Sequence, residues 1–143
     1  DSTVHIIRSL LGEKTSVSAQ ANIGSHFSQR REIYRYPNKV GEVNAIILRL
    51  ESPTTNINNL PDRLKKRRRY LLNMLDCHLQ MDRTDYIASI ERLLSGKQYG
   101  VLLWSDPWLV MKRGAVNKRS KPVQEIEQKL NQLRKKWKMK NGE

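Results

Sequence analysis

The chain has 143 residues, about the length of one domain, and carries 27 Lys and Arg residues against 14 Asp and Glu residues. Its net charge of +13 points to an anionic partner, and its 38% of apolar residues can form one modest core. No run approaches the ~20 apolar residues that span a bilayer, and the lone Cys77 excludes an internal disulfide and a cysteine-rich zinc site. Because the chain begins at Asp1 without an initiator methionine, we expect a processed chain or a piece of a longer polypeptide.

The first half of the chain predicts a helix and then three strands. Apolar residues at helical spacing predict a helix over residues 3–11, which Gly12 ends. Strands are predicted over residues 15–20, 32–36 and 44–50, and a helix from residue 21 or 22 to Gln29 connects the first two. The third strand is almost continuously apolar, which is typical of a parallel strand covered on both faces.

The second half predicts three helices and a hairpin. In chain order the segments are a polar loop at 51–60, helices at 61–77 and 82–95, strands at 99–104 and 108–113, a linker at 117–122 and a helix at 123–139. Asp82 is a suitable N-cap, and Ser105-Asp106-Pro107 is a turn sequence between the two strands. The first of these helices is predicted to bury one row of leucines: Leu64, Leu71, Leu75 and Leu79.

These segments predict an α/β fold. We expect a mixed sheet with a parallel portion and a C-terminal antiparallel hairpin, helices packed on the sheet, and a basic C-terminal helix. We expect two regions: an α/β domain over residues 1–116, and a basic linker with an amphipathic helix over residues 117–143. The apolar seam of that last helix can dock on a partner or on its own domain.

A ligand-binding pocket is predicted beside the connection between the first two strands. Ligands of open α/β sheets bind outside the carboxyl ends of the strands, where helix N-terminal amides suit an anion. Asn22, His26 and Arg30 are four positions apart and are predicted to share one face of an α-helix. The residues predicted to form the pocket are Ser18, Asn22, His26, Arg30 and Tyr34. The alternative is structural: Asn22 caps the helix, His26 binds a backbone carbonyl and Arg30 is solvated.

Two basic groups of residues are predicted to bind an anionic surface. They are Arg63, Lys65, Lys66, Arg67, Arg68 and Arg69 in one helix, and Lys135, Lys136 and Lys138 in the last helix. Anionic lipid headgroups and nucleic acid are the phosphate-rich partners that such groups suit. A solvated surface that only aids solubility is the alternative reading.

The sequence predicts no catalytic residues, no metal site and no cofactor. Asp76, Cys77 and His78 are spread around a helix, so one ion cannot easily bind all three. No nucleophile elbow and no pair of carboxylates at a catalytic spacing is present, so this chain is not expected to catalyse a reaction by itself.

Several segments together resemble a bacterial family of multi-pass membrane proteins of unknown function, over most of residues 1–114. The resemblance lies in Val17-Ser18-Ala19, His26-Phe27-Ser28-Gln29-Arg30, Ile33-Tyr34-Arg35-Tyr36-Pro37, Ala45-Ile46-Ile47-Leu48 and the hairpin from Tyr99 to Arg113. The segments are similar to the C-terminal region of that family, whose hydrophobic layout is like that of polytopic glycosyltransferases with lipid-phosphate sugar donors. Asn44 and Arg49 replace acidic residues of the family pattern, so a carboxylate role for this strand is not expected here.

The resemblance implies an uncharacterised soluble domain on the extracytoplasmic, periplasmic side of a polytopic membrane protein. Such a domain would recognise a ligand or the membrane surface rather than catalyse a reaction by itself. Its implied partners are the membrane portion of the same protein and an anionic lipid or lipid-phosphate sugar. The alternative function is that of a basic nucleic-acid-binding protein.

Overall fold

The computed structural model describes residues 2–27, 30, 32–51, 61–115 and 121–137. In chain order its elements are α1 (Ser2–Leu11), β1 (Val17–Ala19), a 3₁₀ helix (Ala21–Phe27), β2 (Ile33–Arg35), β3 (Ala45–Arg49), a short 3₁₀ turn (Asp62–Leu64), α2 (Lys65–Leu79), α3 (Arg83–Ser95), β4 (Tyr99–Ser105), β5 (Trp108–Arg113) and α4 (Lys121–Lys136). The predicted helices and strands are therefore present in the described ranges.

The strands form one five-stranded mixed sheet in the order β2-β1-β3-β5-β4. β1 is parallel to both β2 and β3, whereas β5 is antiparallel to both β3 and β4. The α/β fold, the parallel portion and the antiparallel hairpin are thus confirmed.

β3 lies in the middle of the sheet and separates two apolar cores. Successive side chains of a strand point to opposite faces, so Ala45 and Ile47 pack in one core and Ile46 and Leu48 in the other. All four residues have no exposed surface. The near-continuous apolar run of β3 is therefore explained by its coverage on both faces.

The two faces are covered by different helices. On one face α1 and the first 3₁₀ helix bury apolar residues, among them Ile7, Ile23 and Phe27. On the other face α2, α3 and α4 form the larger core, to which α4 contributes Ile126, Leu130 and Leu133. The seam of the C-terminal helix thus docks on the sheet of its own chain.

Two local predictions were wrong. The connection from β1 to β2 begins as a 3₁₀ helix rather than an α-helix, so positions four apart do not share a face there. Leu64 is 37% exposed, because it belongs to the 3₁₀ turn before α2 and is out of phase with the leucines that α2 buries. Residues 52–60 of the loop predicted at 51–60, residues 117–120 of the linker predicted at 117–122 and the last two residues of the helix predicted at 123–139 lie outside the described residues.

Asp82 caps α3 as predicted. Its carboxylate accepts a hydrogen bond from the backbone N–H of Thr84 at 2.7 Å. Replacing Asp82 with alanine removes this acceptor, and we expect the free energy of unfolding to fall by about 1 kcal/mol. Urea denaturation measures the change, and Asp82→Asn is the control because asparagine also caps helices. An equal loss in both variants would contradict the capping role.

Candidate functional site

A cavity of about 220 Å³ lies between α1 and the first 3₁₀ helix, and we call it the α1 pocket. It is lined mostly by polar and basic residues: His5, Arg8, Ser9, Glu13, His26, Phe27 and Arg30. His5, Arg8 and Ser9 are three and four positions apart on α1 and share one polar flank of the helix. The apolar residues of α1 pack into the sheet and fix the position of that flank.

Arg8 links the two walls of the α1 pocket. Its Nε donates a hydrogen bond to the backbone carbonyl of His26 at 3.0 Å. The guanidinium is therefore held at the pocket although the side chain starts from an exposed position of α1.

Arg30 is the most buried basic group of the α1 pocket, with 9% of its surface exposed. Its Nη1 donates a hydrogen bond to the carbonyl of Gly12, the residue after α1, where the φ angle of +63° suits glycine. Burial lowers the pKa of Arg30, the positive charge of Arg8 lowers it further, and Glu13 raises it. Arg30 stays protonated at neutral pH, because arginine begins far above that range.

The structure brings together two of the five residues predicted to form a ligand pocket, His26 and Arg30. Ser18 is fully buried and donates its hydroxyl to the carbonyl of Asn38 at 2.9 Å, so it stabilises the connection after β2. Tyr34 lines a different cavity of about 290 Å³, together with Arg35 and the 3₁₀ helix. The side chain of Asn22 lies outside the described part of the structure.

Sequence reasoning missed the contribution of α1 to the pocket. His5, Arg8 and Glu13 come from a segment that was read only for its buried face. The i, i+3 spacing of His5 and Arg8 on one flank was the signal that could have found them. That this flank would face His26 could not be read from a single sequence, because it depends on how α1 packs on the sheet.

The basic residues of α2 and of the turn before it are exposed. We call this group the α2 basic face: Arg63, Lys65, Lys66, Arg67 and Arg69. No ion pair within the described ranges involves any of these five residues. Arg68 is half-buried and belongs to the inner side of the helix.

Apolar side chains stand beside these charges on α2. Tyr70 is 54% exposed and Met74, one turn later, is 47% exposed. The guanidinium of Arg67 lies over the ring of Tyr70, 5.4 Å from its centroid. One exposed flank of α2 thus combines positive charge, an aromatic ring and a thioether.

The basic residues of α4 have an ordinary structural explanation. Lys135 and Lys136 are in the last turn, where positive charge is favourable to the helix dipole. Lys138, the third predicted member of this group, lies outside the described residues.

A buried hydrogen-bond network joins the carboxyl end of β1 to α3. The hydroxyl of Tyr86 donates to Gln20 Oε1 at 2.6 Å, and the same oxygen accepts from the backbone N–H of Arg49 at 3.2 Å. Ser89 hydrogen-bonds the hydroxyl of Tyr36 and donates to the carbonyl of Tyr86. Since these groups are buried, the network stabilises the fold.

Within the described ranges, no group of three or more His, Cys, Asp or Glu side chains could bind a metal ion. None of the helices described is long and apolar enough to cross a bilayer. Comparisons with protein-family models, curated proteins and solved structures find no match to this chain.

Proposed function

We propose that this chain is an extracytoplasmic domain of a polytopic membrane protein and docks on an anionic membrane surface through α2. The family resemblance of the β1, β2, β3 and hairpin segments supports the first part of the proposal. In that setting the domain positions a ligand or the membrane surface, and any glycosyl-transfer chemistry belongs to other parts of the parent protein.

The observation that carries the docking role is the position of the charges on α2. Basic residues occupy the first turns of the helix, where the dipole is positive, and no acidic residue accompanies them there. Such an arrangement costs stability, because both the dipole and the neighbouring cations repel each charge. An anionic surface offsets this cost, and each well-placed Lys or Arg near it contributes up to about 1 kcal/mol.

The exposed apolar groups favour a membrane over nucleic acid. Met74 and Leu64 gain from entering the boundary between headgroups and acyl chains, whereas they add little on a phosphodiester backbone. The one exposed aromatic ring of this flank, Tyr70, already lies against the guanidinium of Arg67. That face of the ring is covered and does not offer a platform for stacking a base.

Vesicle binding tests the docking role. We expect the protein to co-sediment with vesicles of phosphatidylcholine mixed with phosphatidylglycerol, and not with vesicles of phosphatidylcholine alone. The double substitution Lys66→Gln/Arg67→Gln should weaken binding by up to about 30-fold, which corresponds to about 2 kcal/mol. The matched control Lys97→Gln/Lys112→Gln removes the same charge from exposed residues outside α2 and should leave binding within about twofold.

A neutral substitution separates the two phosphate-rich partners. Met74→Gln keeps the charge of α2 and should weaken vesicle binding about fivefold, because half-burial of a methionine contributes about 1 kcal/mol. Binding to a labelled DNA or RNA oligonucleotide should be unaffected by this change. Tight, salt-sensitive oligonucleotide binding without vesicle binding would overturn the membrane proposal in favour of nucleic acid.

A further inference from the structure

The α1 pocket concentrates positive charge. Two guanidinium groups and two imidazole rings line it, with Glu13 as the carboxylate of its lining. Among the ion pairs of the described residues, none includes Arg8 or Arg30. Since the lining contains two arginines and one carboxylate, it is positive at neutral pH.

Both guanidinium groups are held by hydrogen bonds and have further N–H donors that a ligand could use. Arg8 is anchored on the carbonyl of His26, and Arg30 on the carbonyl of Gly12. A guanidinium has five N–H donors, and backbone carbonyls within the described residues use only some of them. Because both guanidinium groups are already held on backbone carbonyls, a ligand would meet a site that needs little ordering.

The two like charges destabilise each other. Burial and then the charge of Arg8 lower the pKa of Arg30, so both effects disfavour the charged form of its guanidinium. An anion between two arginines compensates this repulsion and receives charge-assisted hydrogen bonds.

We propose that the α1 pocket binds a small phosphate-bearing ligand, whose phosphate group lies between the guanidinium groups of Arg8 and Arg30. A phosphate offers three strong acceptor oxygens and carries close to two negative charges, which two guanidinium groups can share. The cavity of about 220 Å³ is smaller than the usual ligand pocket of about 300–1,000 Å³, so it fits a phosphate with a small substituent that contacts Phe27. This site does not depend on the docking role of α2.

Titration with inorganic phosphate tests the proposal, with calorimetry and thermal unfolding as readouts. We expect saturable binding and a rise in Tm that sodium chloride at equal ionic strength does not produce. Arg8→Gln should weaken phosphate binding by at least about tenfold, since one charge-assisted contact contributes about 1.5 kcal/mol or more. Arg113→Gln is the matched control, because this exposed arginine also donates to a backbone carbonyl, that of Glu42 at 3.2 Å.

Further arms keep the test decisive. If Arg8→Gln does not fold, as judged by circular dichroism, His26→Ala removes a pocket imidazole and should still weaken phosphate binding. The α2 variant Lys66→Gln/Arg67→Gln should retain full phosphate affinity, which separates this site from the docking surface. Tighter binding of a short-chain phosphatidic acid than of glycerol 3-phosphate would identify a lipid headgroup as the source of the phosphate. Equal binding of the two compounds would identify a free phosphomonoester as the ligand. Absence of saturable binding, or equal affinity in Arg8→Gln and Arg113→Gln, would overturn the proposal.

Discussion

Replacing Trp137 with alanine is expected to lower the free energy of unfolding by about 3 to 5 kcal/mol. Trp137 has no exposed surface, and its ring centroid lies 6.2 Å from that of Tyr86 in α3. It follows α4 and completes the seam that α4 buries against the larger core. Removing the indole leaves a cavity that Tyr86 and the leucines around it cannot fill without moving.

Urea denaturation followed by circular dichroism measures this loss, and two other variants sharpen the test. Trp137→Phe should lower the free energy of unfolding much less, because a phenyl ring still fills part of the space and the indole N–H that is removed is buried without an acceptor in the described structure. Trp104→Ala is the control for tryptophan removal, since that side chain is only half-buried. A loss below about 1 kcal/mol for Trp137→Ala would contradict the role of Trp137 in the larger core.

The stability of the protein is expected to decrease steeply above about pH 10. Burial raises the pKa of Tyr86 well above its ordinary value, and the nearby hydroxyl of Tyr36 raises it further. In the unfolded chain Tyr86 loses its proton near pH 10, whereas in the folded protein it keeps it. Above that pH the unfolded state therefore binds fewer protons, and the free energy of unfolding falls with rising pH, by at most about 1.4 kcal/mol per pH unit for this one group.

Tyr36 adds to this alkaline sensitivity until its own folded-state pKa is reached. Burial raises the pKa of Tyr36, although its hydrogen bond with Ser89 and the charge of Arg92 lower it in part. Below pH 10 both tyrosines are neutral in either state and their contribution to stability is constant.

Urea denaturation at a series of pH values, repeated for Tyr86→Phe, tests whether Tyr86 causes the decrease in stability above pH 10. The variant lacks the hydrogen bond to Gln20, so its free energy of unfolding at neutral pH should be about 1 kcal/mol lower. Above pH 10 its free energy of unfolding should decrease less steeply than that of the unsubstituted protein. Tyr70→Phe is the matched control, because it removes a tyrosine hydroxyl from a half-exposed side chain. If the free energy of unfolding decreases equally steeply above pH 10 in Tyr86→Phe and in the unsubstituted protein, groups other than Tyr86 cause the effect.

The sheet could be predicted from the sequence because its strands carry strong local signals. The apolar run of β3 favoured a strand covered on both faces, and the Ser-Asp-Pro sequence predicted the turn between β4 and β5. These signals depend on a few neighbouring residues, so they predict a strand or a turn without knowledge of the tertiary structure. The α1 pocket depends instead on which flank of α1 meets the 3₁₀ helix, which a single sequence does not encode locally.

The residues predicted as one pocket were separated by two geometric effects. Ser18 is the central residue of β1 and points to the opposite face from Val17 and Ala19, so it meets the connection after β2. His26 was placed by a spacing of 3.6 residues per turn, but its helix has about three. His26 and Arg30 line one cavity because Arg30 reaches back to the end of α1, a contact for which the sequence holds no pattern.

The position of β3 between β1 and β5 has a consequence for the order of folding. β1 ends about 25 residues before β3 begins, whereas β5 begins about 60 residues after β3 ends. Until β5 has been synthesised and has paired, β3 presents an apolar strand edge with unpaired amides and carbonyls, which can pair with other chains. Residues 1–51 are therefore not an independent folding unit, and closure of the sheet must wait for the β4–β5 hairpin, which forms from local contacts.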